Sequence, residues 1–117
     1  MREIDFRVYE KLTGYMSSGG IEYSLTFYLY LIDDDRYIVM QYTGRNDINN
    51  NKIYEGGLVV IEDCSNSKGS YIVVWNNEDS MYMIKDKYGY CDKLCDFDKY
   101  KIIGNIYQNK NLLEEAM

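Results

Sequence analysis

The chain has 117 residues, 46% of them hydrophobic and 27% charged, with 13 basic against 19 acidic side chains for a net charge of −6. That length holds one domain spanning 1–117, because two cores of half the size would be marginal on surface-to-volume grounds, and the composition excludes wholesale disorder, collagen and coiled coil. No apolar run approaches the roughly 18 to 20 residues of a membrane helix; the acidic balance disfavours a broad nucleic-acid face, and the absence of histidine removes the commonest general base, the commonest metal ligand and every imidazole triad.

In chain order, Arg2 to Tyr9 reads as a first strand with Ile4, Phe6 and Val8 on one face, and Ser17-Ser18-Gly19-Gly20 as a loop. From Ile21 to Leu31 the odd positions Ile21, Tyr23, Leu25, Phe27, Leu29 and Leu31 alternate with Glu22, Ser24, Thr26, Tyr28 and Tyr30, a period of two that predicts a strand. Asp33-Asp34-Asp35 breaks the run before apolar residues resume from Tyr37 to Tyr42, which predicts a hairpin turning on a solvated Asp triplet. A hard-cation site at the triplet would need oxygen ligands converging from elsewhere. The polar stretch Gly44 to Asn51 offers left-handed turn positions at Asp47, Asn49, Asn50 and Asn51. Gly57 to Glu62 and Tyr71 to Asn76 are β-branched strand candidates flanking a loop at Cys64 to Gly69. Asn76-Asn77-Glu78-Asp79 turns into Ser80 to Lys85, a second hairpin; Asp86 to Asp98 is polar, and Tyr100 to Ile106 reads as the last strand. Asn109 to Met117 has the N-cap and apolar pair Leu112-Leu113 of a short terminal helix. Six or seven strands with close-set turns predict a mainly antiparallel β barrel or sandwich, best suited to a small, strongly bent barrel with an extra hairpin.

Tyrosine supplies 14 of the aromatic residues and proline none, so Pro-rich linkers are excluded while half-buried strands and Tyr-rich contact surfaces are favoured. Three cysteines, Cys64, Cys91 and Cys95, are an odd number for a disulfide framework, and the charged opening Met1-Arg2-Glu3-Ile4-Asp5 is unlike a signal peptide. An intracellular, cytoplasmic protein with reduced thiols is expected.

Three segments together resemble the YopX-like family, small proteins encoded by phages and prophages of Gram-positive bacteria. The opening Met1-Arg2-Glu3-Ile4-Asp5-Phe6-Arg7 is followed by Tyr9, Glu10, Lys11 and Met16. The middle, Met40-Gln41-Tyr42-Thr43-Gly44, then Asp47, then Ile53-Tyr54-Glu55-Gly56, is the most specific. The close is Ile102-Ile103-Gly104-Asn105-Ile106-Tyr107, Asn109 and Leu112-Leu113. Asn50 stands where the family usually has Gly, Gly57 where it has Asp, and Lys110 where Pro often follows Asn109. The resemblance implies a small SH3-like β barrel with added strands, and a bacterial host cell in which host takeover, replication or counter-defence would be the setting.

Residue chemistry points to binding. Cys91-x3-Cys95 with Cys64 gives three thiolates, short of the four ligands of a structural zinc site, and Asp92, Asp96 or Asp98 would be an unusual fourth. Ser17, Ser18, Thr43 and Ser65 have no imidazole to activate them, and Lys52 or Lys85 would do so only if buried with a depressed pKa. Neither a GxGxxG nor a Walker loop is present. We therefore assign no catalytic residue, metal or cofactor. Tyr28, Tyr30, Tyr42 and Tyr54 are expected as exposed ring contacts, with half-buried strand positions as the plainer alternative. Arg45 and Asn46 are candidates to recognise an anion or partner carboxylate, with a turn role as the alternative for Asn46, and Glu55 is either a contact or merely solvated. The expected function is a protein-binding module acting on a host protein, its acidic surface steering it to a basic, nucleic-acid-binding target. The alternative is a nucleotide signal or single-stranded nucleic acid stacked on Tyr with Arg45 and lysines on phosphate. A homo-oligomer paired through exposed strand edges is a third possibility.

Overall fold

The computed structural model describes residues 3–17, 30–62, 70–96 and 99–109. It is mainly β, as expected, and its described strands form two antiparallel sheets. The strands are β1 (Phe6–Glu10), β2 (Tyr37–Asn46), β3 (Lys52–Tyr54), β4 (Gly57–Ile61), β5 (Tyr71–Asn76), β6 (Met81–Lys85), β7 (Cys91–Lys93) and β8 (Tyr100–Asn105), with a 3-10 turn at Leu94–Asp96. One sheet has the order β1-β2-β3 and the other β7-β6-β5-β4-β8.

Most predicted strands stand within a few residues of their places. The expected first hairpin falls mostly outside the described residues. β2 pairs with β1, Phe6 opposite Gln41 through Glu10 opposite Tyr37. The predicted strand Ile21–Leu31 lies outside the described residues up to position 29, and its described end is helical at 30–32. Asp34 closes that turn by donating its N–H to the Leu31 carbonyl at 3.1 Å. The predicted terminal helix lies outside the described residues beyond Asn109.

Two apolar clusters hold the sheets. The larger joins Ile53, Val59, Ile61, Val73, Ile84, Leu94 and Tyr100, and the Tyr100 hydroxyl satisfies its buried polar end by donating to the Leu94 carbonyl at 2.6 Å. The smaller consists of Met40, Tyr42 and Tyr54, backed by Tyr9, Met16, Ile38 and Tyr107. Polar turns tie the sheets together. Asp47 accepts from the N–H groups of Asn49 and Asn51 through one oxygen and of Ile102 in β8 through the other, at 3.0, 2.9 and 3.2 Å. Asn50 adopts a φ of +64°, the left-handed position expected of it. Gly104 makes room for the Asn109 side chain, which a Cβ would meet at 2.5 Å. It lies beside the bulge where Leu58 opposes Gly104 but Val59 opposes Ile102.

Candidate functional site

The three sequence segments that resemble one family meet on the inner face of the β1-β2-β3 sheet. Asp5, 1% exposed, accepts from the Tyr54 hydroxyl at 2.6 Å and from Lys52 Nζ at 2.8 Å. Lys52 also reaches Glu3 at 3.0 Å, and these two carboxylates hold its ammonium above the usual lysine range. Burial, then the bond to Asp5, pushes the Tyr54 hydroxyl well above the usual tyrosine range. Arg7 lies over the Tyr54 ring, its guanidinium carbon 4.6 Å from the centroid, and its Nε is buried without an acceptor. Desolvation accordingly lowers the Arg7 pKa, while Tyr54 and Tyr107 oppose the shift. Tyr107, from the closing segment, stacks on Tyr9 of the opening segment at 5.3 Å.

This clasp is structural, and it corrects the expectation that Tyr42 and Tyr54 are exposed contacts. Both are 5% exposed. β2 and β3 place them opposite each other on the inward face, and their rings meet at 5.9 Å. The Tyr42 hydroxyl donates to Asn46, whose amide donates in turn to Asn50 at 2.9 Å, so Asn46 takes part in the turn. Tyr30 is exposed, and Tyr28 lies outside the described residues.

Glu55 and Arg45 instead open onto two clefts on either side of Trp75. The first cleft, about 320 Å³, is lined by Ile38, Val39 and Met40 of β2, by β5 from Ile72 to Trp75, and by Glu55-Gly56 and Ile106-Tyr107. The second, about 230 Å³, is lined by Thr43, Arg45, Trp75, Tyr82, Leu94 and Cys95 among others. Arg45 there lies over the Tyr100 ring at 5.9 Å. Trp75 is 44% exposed, is held edge-on by Tyr82 at 4.9 Å, and donates its indole N–H to Asn77 at 2.7 Å. This rigid, half-exposed aromatic suits recognition. Sequence reading passed over Trp75 as an ordinary strand residue, although it is the only tryptophan and closes a β-branched run.

A two-residue turn forms the inner wall of the first cleft. Glu55 N–H donates to the Gln41 carbonyl of β2 at 3.0 Å and Gly56 N–H to the Val73 carbonyl of β5 at 2.8 Å. The Glu55 carboxylate accepts from Gln41 N–H at 3.0 Å, and no Lys or Arg among the described residues pairs with it. Gly56 has φ +81°, and a Cβ there would come within 3.1 Å of the Tyr107 ring, so this wall requires glycine.

Cys91 and Cys95 are exposed free thiols, Cys64 lies outside the described residues, and no cluster of three metal-ligating side chains occurs among the described residues. None of the described helices is long and apolar enough to cross a membrane.

Residues 5–114 match the family model described as YopX protein. A search of curated proteins finds no match. Among solved structures, the chain is similar to protein EF1440 from Enterococcus faecalis, with a TM-score of 0.64 and 20% identity over 97% of this chain and 99% of that one. At that identity the likeness speaks for the fold.

Proposed function

The chain belongs to the YopX protein family, and from that premise we propose that it is a non-enzymatic binding protein that acts by gripping another protein. The single observation that carries this reading is Trp75, half exposed and held in place between two clefts that present Glu55 on one side and Arg45 on the other. Trp and Arg are enriched among the residues that carry most of the binding energy at protein interfaces. The net charge of −6 favours encounter with a basic partner. In a phage or prophage setting that partner is a protein of the bacterial host, with a nucleic-acid-binding defence factor as the class whose charge fits. The nucleotide reading loses Tyr42 and Tyr54 as stacking rings, since both are interior.

The test is capture from bacterial host lysate on the immobilised full chain, run beside Trp75→Ala and Arg45→Ala. A basic protein retained in stoichiometric amount by the parent, and lost with either variant, supports the reading. Equal retention by parent and variants refutes a role for the Trp75 surface. A melting shift with nucleotides in the absence of any retained protein would restore the alternative.

A further inference from the structure

The first cleft is a gap between two strand edges. Along β2 the main-chain groups alternate in direction. Tyr42 N–H donates to the Asp5 carbonyl on the β1 side at 2.8 Å, so Met40 and Ile38 face β1 while Gln41 and Val39 face the other way. Gln41 is engaged by Glu55. The pairing with β3 covers only Tyr42 to Asn46, so no described strand pairs with Val39 on the side of the cleft that it lines. The same holds across the gap. Val73 turns its carbonyl to Gly56, the pairing of β5 with β4 ends at Ile72, and Trp75, two residues further, aims its main-chain groups the same way. No described residue bonds the main-chain groups of Val39 or Trp75 on this side. The gap is one chain wide at its inner end, because Glu55-Gly56 bonds to both edges at once.

We propose that this slot receives an extended segment of a partner protein, adding one strand between β2 and β5, with a Lys or Arg side chain of that segment on the Glu55 carboxylate and an apolar one against Trp75. The inference rests on the binding reading above and deepens it. From the turn outward β2 runs from Gln41 back to Tyr37 and β5 from Val73 on to Asn76, so the incoming strand lies antiparallel to one edge and parallel to the other. Main-chain pairing supplies affinity, and the side chains that alternate across the slot supply selectivity. The cationic preference follows from Glu55, the only charged side chain among the described residues lining the cleft. Among the described residues Arg7 forms no ion pair with Glu55, and its guanidinium lies over the Tyr54 ring. A partner segment of alternating apolar residues with a basic residue at one end is the chemistry that fits.

The experiment pans a displayed library of random peptides on the purified full chain and titrates the enriched peptides by Trp75 fluorescence. Enrichment of alternating apolar sequences carrying Lys or Arg is expected. Glu55→Gln, which keeps the acceptor for Gln41, should weaken them about tenfold. N-methylation of alternate peptide amides should weaken binding in either register, since one set of amides faces β2 and the other faces β5. Peptides that bind undiminished by Glu55→Gln and by both methylation registers would overturn the strand-addition mode while leaving the protein-binding reading standing. No enriched peptide, together with a dimer by light scattering that quenches solvent access to Trp75, would assign the slot to a second copy and overturn the proposal. No enriched peptide from a monomer overturns it too, and lysate capture then decides the broader reading separately.

Discussion

Replacing Tyr54 by Phe removes one oxygen and leaves the ring that Arg7 and Tyr42 pack against. The lost bond joins a 5%-exposed hydroxyl to a 1%-exposed carboxylate at 2.6 Å. Hydrogen bonds to charged groups contribute about 1.5–3 kcal/mol, and Asp5 keeps Lys52, so a loss of about 2 kcal/mol is expected at pH 7. For a domain of this size that is a fall of roughly 6–12 °C in Tm. Urea unfolding followed by Trp75 fluorescence measures it. The pH dependence supplies an independent check. The Tyr54 pKa is raised in the fold above its ordinary value of 10.0, by burial first and by the Asp5 bond second. Above pH 10 the unfolded chain therefore loses this proton before the folded one does, and the stability the hydroxyl contributes, fully present below pH 10, declines as the pH rises. The difference between parent and Tyr54→Phe should narrow from pH 9 to pH 11. A difference under about 0.5 kcal/mol at pH 7, or one that stays constant to pH 11, would refute the buried clasp.

Gly56→Ala should destabilise the fold by about 1–3 kcal/mol, through the positive φ and the close approach of Tyr107, with the loss read from urea midpoints. Asp47→Ala should cost about 2–3 kcal/mol by leaving the N–H groups of Asn49, Asn51 and Ile102 without their acceptor, and amide exchange should accelerate at Ile102. The half-buried Asp34 carboxylate, held at about 2 by hydrogen bonds and charge from Arg36, should titrate there by carboxyl-carbon NMR and return toward the ordinary value of 3.8 in Arg36→Gln. Its ion pair is present above that pH and is lost as the pH falls through it.

Strands were legible where β-branched residues ran between turn residues. Tyr71 to Asn76 is bounded as read, and Met81 to Lys85 and Tyr100 to Asn105 differ by one residue. β3 was missed because three residues, Lys52 to Tyr54, carry too few periods to register. At Tyr30 the period-of-two pattern ends in a helical turn, so local alternation does not decide the state there. Tyr42 and Tyr54 were placed on the wrong face for a physical reason. A tyrosine satisfies either side of a sheet, and only its partners, Asn46 nearby for Tyr42 and Asp5 far back along the chain for Tyr54, decide which way it turns. Of the named candidates, Glu55 and Arg45 reach the clefts. The slot was invisible in sequence because a free strand edge is a property of pairing between segments far apart along the chain.

The clasp also sets the order of events during synthesis. Lys52 reaches back 47 residues to Asp5, Asp47 reaches forward 55 to Ile102, and the Gln108 amide donates to the Gly14 carbonyl 94 residues away. Closing such distant contacts is entropically slow, and none of the third kind exists until position 108 has left the ribosome. The opening strand can pair with β2 and reach Lys52 once the middle of the chain has emerged, and its contact with Gln108 is added last.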